Sequence, residues 1–134
     1  MKSKQYDLGA LELEVLKVLW DLGSATVREV MTHLHDRGRR LAYTTVQTLL
    51  NRLEQKRHVM SDKSGLAYVY RAKVSRERVT RSRLRRVVSQ LYDGAAGPLV
   101  LQLVRTERLT PEEIRQLHRL IDELDSQAGQ PRRK

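Results

Sequence analysis

Cysteine is absent from the 134 residues, which excludes a disulfide framework, a thiolate metal site and a cysteine nucleophile together. No apolar run approaches the roughly 18–20 residues needed to span a bilayer. The opening residues, Met1 to Asp7, lead straight into a charged amphipathic segment without the apolar stretch of a secretory signal. The chain is therefore expected to be soluble and cytoplasmic, with no insertion into a membrane. Also missing are a glycine-rich phosphate cradle, a nucleophile-elbow pattern and a paired acid and base. Glu112, Glu113, Glu123 and Asp125 read instead as helix-start charges or exposed-face residues. His33, His35, His58 and His118 form no ligand pattern, since His33 and His35, two apart on a helix, diverge. The expectation is no enzyme, no metal and no cofactor.

What the chain has in excess is positive charge: 26 Lys and Arg against 16 Asp and Glu, a formal +10. Such an excess suits a polyanionic partner, nucleic acid or an anionic membrane. Cut after Ser75, each half holds 13 basic and 8 acidic residues, so no single tail accounts for it. Within the second half, Arg76, Arg78, Arg81, Arg83, Arg85 and Arg86 face only Glu77. That run reads as a solvated helix face, as a contact to flanking phosphate near the connection between lobes, or as an anion site.

Apolar periodicity organises the first half. Leu11, Val15, Val18 and Leu22 form one helical row and Leu13, Leu16 and Trp20 a second, predicting a helix over about Leu8–Asp21 that is buried on two sides. Gly23 ends it. Thr26-Val27-Arg28-Glu29 is a capping box, opening a second helix with Val27, Val30, Met31 and Leu34 inside and a stop near Gly38. A third helix begins around Tyr43, with Val46, Leu49, Leu50 and Leu53 inward. Stepping about 100° per residue puts Thr44, Thr48, Asn51 and Gln55 opposite that core, flanked by Gln47 and Arg52. Short amides and hydroxyls on one exposed helix face are what reading base edges requires. Thr45 lies off that face and suits a phosphate or capping contact.

After Lys56 the period becomes two. Val59–Ser61, a turn at Asp62–Gly65, and Leu66–Arg71 predict a hairpin, with Tyr68 and Tyr70 together on its core side. Three helices and a hairpin make a winged helix–turn–helix, whose third helix enters the major groove. Arg39, Arg40, Arg52, Lys63 and Arg71 are then phosphate neutralisers, and Tyr43 contacts phosphate or base, or packs. The DNA-binding candidates are thus Arg39, Arg40, Tyr43, Thr44, Thr45, Gln47, Thr48, Asn51, Arg52, Lys63 and Arg71.

The second half reads as all helix. Ser75 caps a long helix with Leu84, Val87, Val88 and Leu91 in its inner row. Residues 93–97 break it, and Pro98 opens a short helix, Leu99 to about Arg105. Thr110-Pro111-Glu112-Glu113 starts a last one, whose Ile114, Leu117, Ile121 and Leu124 form a narrow seam. A lobe of this size rarely stabilises itself, so dimerisation through Leu84, Val88, Leu91, Leu99, Leu103, Ile114, Leu117, Ile121 and Leu124 is expected. The fold class is mainly α with a small β-hairpin wing, organised as a winged helix over 1–74, a helical dimerisation lobe over 75–126 and a basic disordered tail over 127–134.

Several segments together resemble the penicillinase repressor family (BlaI/MecI/CopY type). They are Leu11–Trp20, Ala25–Val30, Ala42–Leu53, Ala67–Arg71, Leu99–Val104 and Leu109–Ile114. The resemblance implies a homodimeric repressor whose two winged helices bind a palindromic operator in double-stranded DNA, regulating antibiotic resistance. It also implies relief by proteolysis or loss of the dimer on an antibiotic or stress signal, with a membrane-bound sensor protease as a further partner. The family's cleavable Asn-Phe bond aligns with Gln102-Leu103. Without cysteine, the thiolate copper sensing of one branch is unavailable. Where relatives place glycine after the recognition helix, Arg57 stands here. Two other readings keep the fold but change the role: a winged-helix protein-interaction module, and a ligand-responsive MarR-like DNA-binding regulator.

Overall fold

The computed structural model describes residues 8–129. Its elements are α1 (Ala10–Leu22), β1 (Ala25–Thr26), α2 (Val27–Asp36), α3 (Tyr43–Gln55), β2 (Val59–Asp62), β3 (Val69–Ala72), α4 (Arg76–Tyr92), α5 (Ala96–Thr106) and α6 (Pro111–Ala128). The chain divides into two compact units, Met1–Val87 and Val88–Lys134. The boundary falls inside α4, not at its start, because Val79 is buried in the same core as α1, α2 and α3.

In the first unit α1, α2 and α3 pack pairwise on one another, with β3 against α1 and β2 against α3. Val15, Leu16, Val18 and Leu19 are buried to 1% exposure or less, as a helix apolar on two sides demands. Gly23 turns the chain out of α1 at φ +83°, its N–H donating to Leu19 O at 2.8 Å. The cap of α2 is reciprocal: the Glu29 N–H donates to Thr26 Oγ1 (3.2 Å) and the Thr26 N–H to Glu29 Oε1 (2.9 Å). Ala25 and Thr26 also pair antiparallel with Tyr70 and Val69, giving sheet order β1-β3-β2. Two residues are too few to show a period, so β1 leaves no trace in the pattern.

The hairpin has a longer loop than the sequence predicts. Asp62 Oδ1 accepts from the Ser64 N–H (2.9 Å) and from Ser64 Oγ (2.6 Å), an Asx turn that leads the chain out of the ladder. Leu66, Ala67 and Tyr68, expected in the second strand, therefore lie in the loop, and β3 starts only at Val69. Tyr70 is core-side, 1% exposed, whereas Tyr68, 45% exposed, is not.

Three polar devices brace the ends of helices. At the end of α3 the His58 N–H donates to Leu53 O (2.9 Å) and the Arg57 N–H to Glu54 O (3.0 Å), the paired bonds of a Schellman motif. Arg57 stands at its left-handed position with φ +65°, where a Cβ is unfavourable. Buried Glu12 accepts from the Gly9 N–H and from Lys56 Nζ, both at 2.8 Å, joining the start of α1 to the end of α3. Burial pushes the Glu12 carboxyl up, but the bonds from Lys56 and Gly9 and the charges of Lys56 and Arg52 outweigh it and hold it below its ordinary value. At the other end of α1, the Trp20 indole N–H donates to Val74 O (2.8 Å) and the Arg76 guanidinium lies 5.5 Å from the centre of the Trp20 ring. Asp21 accepts from Arg76 (3.1 Å) and from Arg37. Burial nudges Asp21 up, and these two guanidiniums hold its carboxyl below the ordinary range.

In the second unit, α4 ends where Asp93 (φ +50°) and Gly94 (φ +89°) turn the chain. The next helix begins at Ala96, two residues ahead of Pro98, since a proline within the first turn interrupts no helical bond. Thr110 and Glu113 form the expected reciprocal cap, at 3.1 and 2.8 Å, with Pro111 in first position. Gln127 and Ala128, expected in a basic tail, continue α6 as good helix formers up to its cap at Gly129. Residues 130–134 lie outside those described. No residue of α5 or α6 is buried.

Replacing Arg57 by glycine removes the left-handed penalty while leaving both capping bonds. Arg57→Gly should stabilise the protein by about 1 kcal/mol, read as a higher urea midpoint at unchanged slope. Because the folded pKa of Glu12 is depressed, its stabilisation is present above the unfolded value near 4.5 and is lost as pH falls through the folded one. In Glu12→Gln, stability should be lower at neutral pH and its decline below pH 4.5 shallower, as measured by thermal melts across pH.

Candidate nucleic-acid interface

α3 divides cleanly into two sides. Val46, Leu49, Leu50 and Leu53 are buried, while Thr44, Thr45, Thr48, Asn51 and Arg52 are exposed and Gln47 is half-buried at the edge. The core thus aims the polar row outward. Thr48 Oγ1 donates to Thr44 O at 2.9 Å, so its hydroxyl proton is used within the helix, and oxygen lone pairs and a methyl group remain for an outside partner. Arg52 sits on the same exposed side, and its charge also reaches Glu12.

Around this helix the other candidates separate. Arg39 and Arg40 are exposed in the connection that leads into α3. Tyr43, 40% exposed, opens α3 beneath the Arg28 guanidinium, 5.6 Å from its ring centre. Lys63 begins the wing loop, its ammonium 5.6 Å from the Tyr68 ring centre and 3.7 Å from Glu54 Oε1. Glu54 also accepts from Ser61 Oγ, tying the last turn of α3 to β2. Arg71 is set apart from these groups. It is opposite Met60 in the ladder and lines a hollow with Ser24, Asp62 and Val69, on the sheet face that the pleat turns away from Tyr70 and the core.

Between the start of α2, the start of α3 and the wing loop runs a groove of about 490 Å³, lined by Val27, Arg28, Tyr43, Gln47, Leu66 and Tyr68 among others. Arg28 escaped the sequence reading, where it is only the third residue of a capping box. No one-dimensional signal marks it, because its neighbour Tyr43 is brought close only by the fold. In the run on α4, Arg76 is committed to Trp20 and Asp21, and Arg78, Arg81, Arg83, Arg85 and Arg86 are exposed.

From Leu84 onward, at the end of the first unit and through the second, the apolar candidates lie open. Leu84, Leu91, Leu103, Ile114, Ile121 and Leu124 are exposed, Leu91 by 73%, while Val88, Leu99 and Leu117 are half-buried. Gln102 and Leu103 lie in the interior of α5, where the Gln102 carbonyl accepts from Thr106 Oγ1 at 2.8 Å. Among the described residues, no cluster of His, Asp and Glu could hold a metal ion, and no helix is long and apolar enough to cross a membrane.

The family model of the penicillinase repressor matches residues 8–123. The chain belongs to the penicillinase repressor family. That family consists of transcriptional repressors and not of enzymes. The chain is 32% identical to the transcriptional regulator BlaI of Mycobacterium tuberculosis, over 95% of this chain and 91% of that protein. To the penicillinase repressor of Staphylococcus aureus it is 23% identical, over 92% of this chain and 98% of that protein. Among solved structures, the monomeric form of Bacillus licheniformis BlaI in complex with the blaP half-operator is 31% identical, covering 55% of this chain and 89% of that one, with a TM-score of 0.47.

Proposed function

We propose that this family member is a homodimeric repressor that reads a palindromic operator in duplex DNA through the outward face of α3. The observation that carries the reading is the exposed row of Thr44, Thr48 and Asn51 with half-buried Gln47 at its edge, uncharged at its centre and held by a buried row behind it. Amides can meet the paired donor and acceptor of adenine, and a threonine methyl packs on that of thymine. Arg39, Arg40, Arg52 and Lys63, at the flanks, supply phosphate contacts that set register without reading sequence. Tyr43 and Thr45, at the start of α3, reach the backbone beside them. Arg71, on the far face of the sheet, contributes only to the general positive field.

Association follows from the second unit. Leu99, Val100, Leu101, Leu103 and Val104 form a broad apolar face on α5, yet none is buried. An apolar helix face of this width needs cover. A second copy offers the same surface, and two-fold pairing would present two α3 helices to two half-sites. Relief of repression, on an antibiotic or stress signal, then requires loss of this dimer. Cleavage at Gln102-Leu103 by a membrane-bound sensor protease is one route, and it needs this stretch of α5 unwound first.

Three outcomes test the reading. Footprinting should protect two half-sites about one or two helical turns apart, with affinity falling roughly 10³–10⁵-fold between about 50 and 200 mM salt. A flat salt response would contradict it. Thr48→Ala and Asn51→Ala should weaken operator binding far more than random-duplex binding, by about 1–3 kcal/mol for Asn51, whereas Arg52→Ala should weaken both. Leu103→Asp should shift the sedimentation mass from two chains to one and abolish the two-site footprint.

A further inference from the structure

Two cations near α3 are each laid on a tyrosine that lines the groove. Arg28 of α2, itself in the lining, lies over Tyr43, and Lys63 of the wing loop lies over Tyr68, both with the charge 5.6 Å from the ring centre. Such stacking holds a long cationic side chain in place and leaves its outer donors free. Arg28 takes part in no ion pair among the described residues, while Lys63 has Glu54 at 3.7 Å. Leu66, also in the lining, is fully exposed. A trough lined by Arg28, two tyrosine rings and a leucine, with a second cation stacked on one of those rings, fits a polymer whose anionic groups alternate with apolar rings. That is the description of a sugar–phosphate strand.

Resting on the DNA-reading role of α3, we propose that this groove clamps one backbone strand of the duplex. Arg28 contacts a phosphate, Tyr43 serves as the platform that positions it, Lys63 meets the strand from the wing side, and Leu66 packs on deoxyribose. The contact is sequence-independent. It fixes the depth and angle at which α3 sits in the major groove, so that the base-reading row lands in register.

The test uses the full-length protein and two probes: a duplex selected by the unaltered protein from a random library, and an unselected random duplex of equal length. Affinities are measured by fluorescence anisotropy across a salt series. Arg28→Ala should weaken both probes by a similar several-fold factor and lower the salt slope by about one, with an unchanged melting temperature. Arg28→Lys should keep the salt slope but lose part of the affinity, since ammonium retains the charge without the planar stacking. Leu66→Ala should weaken both probes with no change of slope. An Arg28→Ala protein that melts normally and keeps both affinity and slope would overturn the clamp while leaving base reading by α3 intact. An unaltered protein without salt-dependent duplex binding would instead overturn the DNA-reading role itself.

Discussion

The inward row of α3 is the constraint on which the rest of the first unit depends. Val46, Leu49, Leu50 and Leu53 are each no more than 6% exposed, and every one is enclosed by α1, α2 or the sheet. Burying a side chain of this size contributes about 1.5–3 kcal/mol. Because a helix is rigid, fixing one side of it fixes the azimuth of the other. The polar row therefore projects outward with little freedom, which is the preorganisation a reading surface needs. The Glu12–Lys56 contact and the Arg57 turn hold the far end of the same helix, and Glu54 ties it to the wing.

The second unit shows the opposite balance. Its helices have complete local instructions, including a reciprocal cap with a first-position proline at Thr110–Glu113, yet they bury none of their leucines. Caps and propensities settle where a helix starts and stops. They contribute about 1 kcal/mol each and cannot offset the exposure of a whole apolar surface. Local order with open apolar faces is the observation on which the proposed pairing of two chains rests.

Legibility in the sequence tracks the length over which a pattern repeats. The three helices of the first unit and the exposed row on the third could be read because a 3.6-residue period over 10–13 residues offers several independent matches. The two-residue β1 offers none. The wing is legible as a hairpin, but its second strand starts later than the pattern suggests: the alternation through Leu66–Tyr70 suits a strand, and the Asp62–Ser64 turn overrides it. Arg57 was legible as an oddity at a glycine position, and the structure supplies its meaning as a left-handed residue in a capping turn.

Residue order alone determined the polar and apolar sides of each long helix, the caps, the absence of thiol chemistry and the basic surplus, since all of these are local or additive. Tertiary structure decided which charges keep company. It assigned Arg76 to Trp20 and Asp21, took Arg71 to the far face of the sheet, and set Arg28 over Tyr43 across fifteen residues of chain. Such pairings depend on distances in space between residues far apart in the chain. A one-dimensional pattern holds no measure of those distances until the core has closed.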